Sequence, residues 1–134
     1  MSNPYQPSSL TTDGVQISVQ TLYVPEQSNP DEFSYVYAYQ ITIRNEGDEF
    51  IQLLHRHWDI FELLGETRVV EGEGVAGLQP ILAPGEEHTY VSGCVMNDEI
   101  GKMSGYYTFI RPRNGQTFVV PIPAFTLMVP FLGN

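Results

Sequence analysis

The sequence predicts an all-β fold, a sandwich of two antiparallel sheets with seven to eight short strands. Hydrophobic residues make up 42% of the 134 residues and charged residues only 16%, while eight Tyr, seven Phe, twelve Gly and ten Pro suit short strands joined by turns. Apolar and polar side chains alternate in several segments, and no segment has sustained helical periodicity. We therefore expect one domain over residues 1–134, with residues 1 to 12 and 25 to 32 flexible.

The first strands show the clearest alternation. One covers "VQISVQTLY" from Val15 to Tyr23, and the next covers "FSYVYAYQITIRN" from Phe33 to Asn45. The turn "NEGDE" then leads into "FIQLLHRHW". Strict alternation in this third strand puts Ile51, Leu53, His55 and His57 on one face and Phe50, Gln52, Leu54, Arg56 and Trp58 on the other.

Glycine and proline bound the remaining strands. The segments "WDIFELL" and "TRVVEG" flank Gly65 and Glu66, which predicts a hairpin. After the turn "LAPGEE", strands are expected in "HTYVSGC", "GYYTFIRP" and "QTFVVPI". The tail "AFTLMVPFLGN" adds one more strand, with Phe125, Leu127 and Val129 on its core face.

The charge balance restricts the partners. Six Lys and Arg oppose 16 Asp and Glu, a net charge of -10, and this field disfavours nucleic acid and anionic membranes. The start "MSNPYQPSSL" lacks the basic and apolar regions of a secretory signal, and no apolar run approaches the ~20 residues that span a bilayer. Cys94, the single cysteine, has no internal disulfide partner. We expect a soluble cytoplasmic protein.

A glycine motif, "GEGVAG", places Gly72, Gly74 and Gly77 in the G-x-G-x-x-G spacing of dinucleotide-binding loops. Such a loop must open a helix whose N-terminus holds the pyrophosphate, but Pro80 and Pro84 disfavour a helix here. Acidic Glu71 and Glu73 would also repel phosphate. The favoured interpretation is a sheet connection in which the glycines adopt positive φ or admit a neighbouring chain.

The remaining chemical candidates are few. His55 and His57, two residues apart, have the spacing of a zinc or cobalt pair if a carboxylate joins them, although partly buried structural histidines are the favoured interpretation. Arg56 lies between apolar residues, so it stacks on an aromatic ring, pairs with an acid or contacts a ligand. Cys94 stands in "SGCV" without a catalytic signature, and no enzyme activity or cofactor is expected.

Over most of the chain, from about Val15 to Val129, the sequence resembles the ApaG family. The resemblance rests on "RNEG", "QLLHRHW", "EGEGVAGLQPILAPGEEHTYVSGC", "GKMSGYYTF" and "IPAFTL", in the order and spacing typical of that family. The recurrent residues include Arg56, Trp58, Gly72, Gly74, Gly77 and Gln79. The sequence departs from the family at Ala76 and at His55, where relatives tend to have a small residue.

This resemblance implies a fold and a general role. ApaG-like domains have an immunoglobulin-like or fibronectin type III-like β-sandwich, and they also occur in an F-box protein and a polymerase delta-interacting protein. The resemblance implies a non-enzymatic protein-interaction module associated with cobalt and magnesium efflux or tolerance. Its expected surface includes Arg56, Trp58, Gly72, Gly74, Gly77 and Gln79. The alternative is a protein that binds a phosphate compound or a divalent metal at the glycine loop.

The C-terminal strand offers a second candidate interface. Met128, Phe131 and Leu132 are apolar residues that the core face of this strand does not use. An apolar patch on an edge strand favours a homodimer or a partner contact, although Pro130 would limit strand pairing. The alternative is that Phe131 and Leu132 fold back onto their own domain.

Overall fold

The computed structural model describes residues 8 to 130 and forms the predicted sandwich of two antiparallel sheets. Nine strands lie within these residues, so the described chain has more strands than the seven to eight expected. The strands are β1 (Ser8–Thr12), β2 (Val15–Tyr23), β3 (Tyr35–Asn45), β4 (Ile51–Glu62), β5 (Thr67–Glu73), β6 (Ile81–Leu82), β7 (Glu87–Met96), β8 (Ile100–Arg111) and β9 (Gln116–Met128).

The strand order follows the immunoglobulin and fibronectin type III plan. One sheet has the order β1-β2-β3-β7, and the other has the order β5-β4-β8-β9 with the short β6 paired to β4. Strands β2, β3 and β7 take the places of A, B and E of an immunoglobulin domain, while β5, β4, β8 and β9 take those of C′, C, F and G. Strands β5 and β7 are both sheet edges.

Alternating side chains from both sheets form the core, as the sequence pattern predicts. Ile17, Ile41 and Ile43 are fully buried from one sheet, and Tyr107 and Phe109 are fully buried from the other. The predicted core face of β9 is confirmed, because Phe125, Leu127 and Val129 are all buried. Trp58 makes edge-to-face contacts with Tyr39, Tyr107 and Phe125, and these contacts join the two sheets.

The predicted alternation along β4 is wrong beyond Leu53, because the strand contains a β-bulge. Leu53 pairs with Phe109 but His55 pairs with Thr108, so one residue of β4 has no partner on β8. The extra residue reverses the faces. Trp58 therefore lies on the core side together with Leu53, and His57 lies on the outer side. The sequence prediction assumed uninterrupted alternation along β4, which leaves no place for the extra residue of the bulge.

The segments expected to be flexible contain regular structure. Ser8–Thr12 pairs with β2 as strand β1, and residues 1 to 7 lie outside the described chain. Residues 25 to 32 hold two short 3-10 turns, Pro25–Gln27 and Pro30–Glu32, each starting at a proline. Within residues 8 to 130, no helix has the length and apolar character needed to cross a membrane.

Candidate functional site

The glycine motif ends a strand and forms a tight hairpin turn. Gly72 is part of β5, and Gly74 follows it with φ +65°. Val75 and Leu78 then exchange two backbone hydrogen bonds of 2.8 and 2.9 Å around Ala76 and Gly77. Both central residues have positive φ, 48° and 79°, as a type I′ turn requires. The loop thus has the sheet-connection geometry favoured from sequence, and the short strand β6 follows it where a nucleotide-binding loop would open a helix.

This loop folds back onto the bulge of β4. The carbonyl of Leu54 accepts hydrogen bonds from the Gly74 backbone N–H at 2.8 Å and from Gln79 Nε2 at 2.9 Å. Gln52 Nε2 donates to the Gln79 carbonyl at 3.2 Å, and the Leu53 N–H donates to the Pro80 carbonyl. The extra residue of the bulge therefore has its backbone acceptor satisfied by the loop.

Arg56 lies across Gly72 and reaches the end of β5. A Cβ atom at Gly72 would lie 2.8 Å from Arg56 Nη2 and 2.9 Å from Nη1, so the guanidinium occupies the space that a side chain would fill. Its Nη1 donates to the carbonyls of Glu73 and Gly74 at 2.9 and 3.0 Å. Arg56, Gly72, Gly74 and Gln79 therefore form one cluster around the bulge, with Gly77 at the tip of the turn.

A narrow cleft opens beside Arg56, between the edge strands β5 and β7. Its volume is about 170 Å³. It is lined by Tyr39, Arg56, Trp58, Ile60, Val70, Ser92, Gly93, Cys94 and Met103. Trp58 is only 3% exposed, so it belongs to the buried floor of the cleft and not to an open surface. The two sheets thus contribute opposite walls of the cleft, and Arg56 is the charged residue in its lining.

Three tyrosine hydroxyl groups lie within electrostatic reach of Arg56. Burial raises the pKa values of Tyr39, Tyr90 and Tyr107, whereas the nearby Arg56 charge acts in the opposite direction on each. Tyr39 also hydrogen-bonds Ser92, and the hydroxyls of Tyr90 and Tyr107 hydrogen-bond each other. These phenols stay neutral at physiological pH, so Arg56 has neutral hydroxyl groups and no tyrosinate beside it.

A second arginine, Arg68, links the same two edge strands near Cys94. Arg68 Nη2 donates to the Val95 carbonyl at 2.7 Å, and Nη1 lies 3.3 Å from Glu62 Oε2. The Glu62 side chain is 1% exposed and also accepts hydrogen bonds from the backbone N–H groups of Asn97 and Asp98. Sequence reasoning missed this pair. The sequence signal that could have indicated it is Glu62, an acidic residue at the end of β4.

His55 and His57 lie on the outer face of β4. His57 stacks on Tyr106 at 4.6 Å, with its Nε2 3.2 Å from Asp59 and its Nδ1 3.4 Å from Glu71. Partial desolvation lowers the pKa of His57, but these two carboxylates outweigh it and raise the pKa above its usual value. His55 is exposed. In the part of the chain that the structure describes, no group of three or more His, Cys, Asp or Glu side chains is placed to hold a metal.

The remaining candidates are Cys94, which lines the cleft beside Arg56, and the C-terminal strand. Cys94 is buried, and burial raises the pKa of its thiol although Arg68 opposes this effect. Met128 is half-buried at the end of β9 and pairs with Ile100. Phe131 and Leu132 lie outside the described residues, so a homodimer or partner contact through the C-terminal strand stays a prediction.

Comparison with known proteins identifies close relatives. Residues 25–111 match the ApaG domain family. Proteins named ApaG from Acidithiobacillus ferrooxidans and Salmonella arizonae are 47% and 48% identical, over 84% and 88% of this chain and 88% and 94% of theirs. A Bordetella pertussis crystal structure named for an ApaA protein superposes with a TM-score of 0.84 at 44% identity, covering 87% of this chain and 94% of that chain.

Proposed function

This chain belongs to the ApaG family, and we propose that it is a non-enzymatic module that binds an extended segment of a partner protein along strand β7. The proposal rests on one observation. Strand β7 is an edge strand that borders the Arg56 cleft, and from Thr89 to Met96 it contains neither a charged residue nor a proline. Proteins usually protect such an edge with one of these residues, because an unprotected edge pairs with other strands.

The backbone of β7 before Val95 is suited to pairing with another strand. Arg68 occupies the Val95 carbonyl from the β5 side, and this bond shows that Val95 presents its backbone groups away from β3. Residues two apart along a strand present their backbone groups to the same edge, so Thr89, Val91 and Gly93 face outward as well. Constant-type immunoglobulin domains have strand D beside strand E, which is the strand that β7 represents. A partner strand would take this position by β-augmentation.

The side chains around this edge suit an interface. Val91 and Val95 on β7 are 61% and 54% exposed, and Val70, which lines the cleft on β5, is 37% exposed. Apolar groups of this kind lose unfavourable contact with water when a partner covers them. Arg56 lies in the cleft between the two edge strands. Arginines that become buried in an interface commonly contribute a large share of the binding energy.

The cellular role that we propose is the one that the family resemblance implies. We place the protein in the cytoplasm and in cobalt and magnesium tolerance, acting through its partner. The single cysteine, Cys94, is a free thiol, which suits a reducing compartment. A net charge of -10 favours a partner whose own net charge is neutral or positive.

The small-ligand alternative has one favourable observation, the cleft beside Arg56. Its site would then be the cleft and not the glycine turn. The turn N–H groups of Val75 and Leu78 are already used in hydrogen bonds to each other's carbonyls, so they are not available to a phosphate. A ligand in the cleft would be limited to a few heavy atoms by the volume of about 170 Å³.

Site-specific photo-crosslinking in living cells tests the interaction. A benzophenone amino acid is placed at Val91 or Val70, and as a control at Val119 on β9, which is also exposed. We expect discrete adducts of one partner at positions 91 and 70 only, and loss of the position 70 adduct when Val91→Lys adds a charge to the edge. Equal adducts at position 119, or none at 91 and 70, would contradict the proposal.

A growth assay links the module to cation tolerance. Cells carrying Val91→Lys should become sensitive to added Co²⁺, while cells carrying Val119→Lys should grow as the wild type does. Equal abundance of the two variants, measured by immunoblotting, separates lost binding from lost folding. Unchanged tolerance in the Val91→Lys cells would contradict the cobalt role and leave the binding proposal to the crosslinking result.

A further inference from the structure

The lack of a carboxylate or aromatic partner sets Arg56 apart from the other arginines in the described chain. Three arginines pair with carboxylates and one stacks on an aromatic ring: Arg44 with Glu46 and Glu87, Arg68 with Glu62, Arg113 with Glu49, and Arg111 over Phe118. Within residues 8 to 130, no carboxylate lies within 4 Å of Arg56. Acids are not scarce, since the chain has 16 of them and only six Lys and Arg.

Part of the Arg56 guanidinium is held and part is available. Its Nη1 is bound to the Glu73 and Gly74 carbonyls, and this contact fixes the plane of the group over Gly72. Its Nε and Nη2 make no hydrogen bond within the described chain. These two nitrogens form one edge of the guanidinium, which matches the two oxygens of a carboxylate in a bidentate pair. The donors are therefore oriented before any ligand arrives.

The cleft excludes the protein's own acids from this edge. Glu71 and Glu73 alternate with Val70 and Gly72 along β5, so their side chains lie on the outer face. The position of Glu71 agrees with this, because it contacts His57 on that face. No acid is among the residues that line the cleft. The cleft therefore carries local positive charge in a strongly acidic protein.

We propose that this cleft is a receptor for one carboxylate group, bound bidentately by Arg56 Nε and Nη2 between Val70 and the Ser92–Gly93 wall. The volume of about 170 Å³ suits a short acidic side chain or a small carboxylic acid. A phosphate dianion is disfavoured, because one arginine faces it and the net charge is -10.

The carboxylate has two candidate sources. A free carboxylic acid would make the cleft a small-ligand site. An aspartate or glutamate side chain of the partner would make Arg56 the anchor of the strand that pairs with β7, and this version rests on the proposed function. In both cases the same two nitrogens bind the same chemical group.

Trp58 provides the measurement, because it is the only tryptophan and lines the cleft beside Arg56. Its fluorescence is recorded while sodium propionate, propionamide or inorganic phosphate is added at constant ionic strength. We expect saturable binding of propionate with Kd on the order of 10 mM, typical of a ligand of five heavy atoms. Propionamide, which has the same shape without the charge, should bind at least tenfold more weakly.

Two variants assign the response to Arg56. Arg56→Met keeps an apolar stem against Trp58 and should weaken propionate binding at least tenfold. Arg113→Met removes a surface arginine far from the cleft and should leave binding unchanged. Amide spectra verify that both variants are folded. Equal binding of propionamide, tighter binding of phosphate, persistence of propionate binding in Arg56→Met, or no response to 200 mM propionate would each overturn the proposal.

Capped five-residue strand-forming peptides, one with a central aspartate and one with asparagine, distinguish the two sources. Binding of the aspartate peptide at least tenfold tighter than propionate supports a partner side chain. Arg56-dependent propionate binding without any peptide binding supports a free acid, and it counts against docking along β7. Equal binding of both peptides, with no response to propionate, overturns the carboxylate receptor while the proposed function stands.

Discussion

Arg56 and Arg68 both lie beside the gap between the edge strands β5 and β7, and they differ in what surrounds them. The guanidinium of Arg68 binds groups of the protein itself, the buried carboxylate of Glu62 and the carbonyl of Val95. Arg56 binds only two backbone carbonyls with one nitrogen and faces an open cleft. The difference teaches that an arginine with a buried acid partner stabilises the sandwich, whereas an oriented arginine without one is available for binding.

The largest expected effect comes from Arg68→Met. This change leaves the Glu62 carboxylate buried without its cation, so we expect a loss of about 3–4 kcal/mol in the free energy of unfolding, measured by urea denaturation. Arg56→Met should lose only about 1 kcal/mol, because the carbonyls that it releases are near solvent. Arg113→Met, a surface pair, is the control and should change stability by less than about 1 kcal/mol. Equal losses for Arg68→Met and Arg56→Met would contradict the comparison.

The glycine turn that positions Arg56 gives the next effect. Gly74→Ala should cost about 2–3 kcal/mol, because φ is +65° and the new Cβ would lie 2.2 Å from the Leu78 carbonyl oxygen. Gly77→Ala is the matched control, with φ +79° and no atom within 4 Å, and should cost about 1 kcal/mol. Thermal unfolding of both variants checks the difference. A Gly77→Ala loss as large as that of Gly74→Ala would show that backbone strain alone explains the effect.

Gly72→Ala separates binding from stability. Its Cβ would meet the Arg56 guanidinium at 2.8 Å, and since this is the end of a flexible side chain, the guanidinium should move off the Glu73 and Gly74 carbonyls. We expect a stability loss of about 1 kcal/mol and a changed NMR signal of Arg56 Nε–H. Propionate binding should weaken at least tenfold. Unchanged Arg56 signals would show that the glycine is not needed for the position of this side chain.

The smallest effect concerns His57, on the opposite face of β4 from Arg56. Asp59 and Glu71 raise the pKa of His57 in the folded state, so its contribution to stability is present below pH of about 6.5 and is lost as pH rises through the raised pKa. Urea midpoints between pH 5.5 and 8.5 should fall more for the wild type than for His57→Gln. An identical pH dependence in both proteins would remove His57 from this account.

The sequence by itself determined the class of fold and much of the core. Alternation along β2 and β3 assigned their buried faces, because in these strands the period of two is uninterrupted. In β9 it assigned the core face of the last part, Phe125 and Leu127, which follows a register shift in the pairing with β8. The glycine motif was also predictable as a turn, since Pro80 and Pro84 disfavour a helix after Gly77. These are local properties, set by backbone geometry and by side chains a few residues apart.

Only the tertiary structure decided which way Arg56 and His57 point. The bulge in β4 is satisfied by Gly74 and Gln79, which lie 20 or more residues away along the chain, and it reverses the faces that strict alternation assigned. The hydrogen bond from Arg68 to the Val95 carbonyl likewise depends on β5 meeting β7 across the sandwich. Such contacts form only after distant strands have paired, so the local pattern of apolar and polar residues does not predict them.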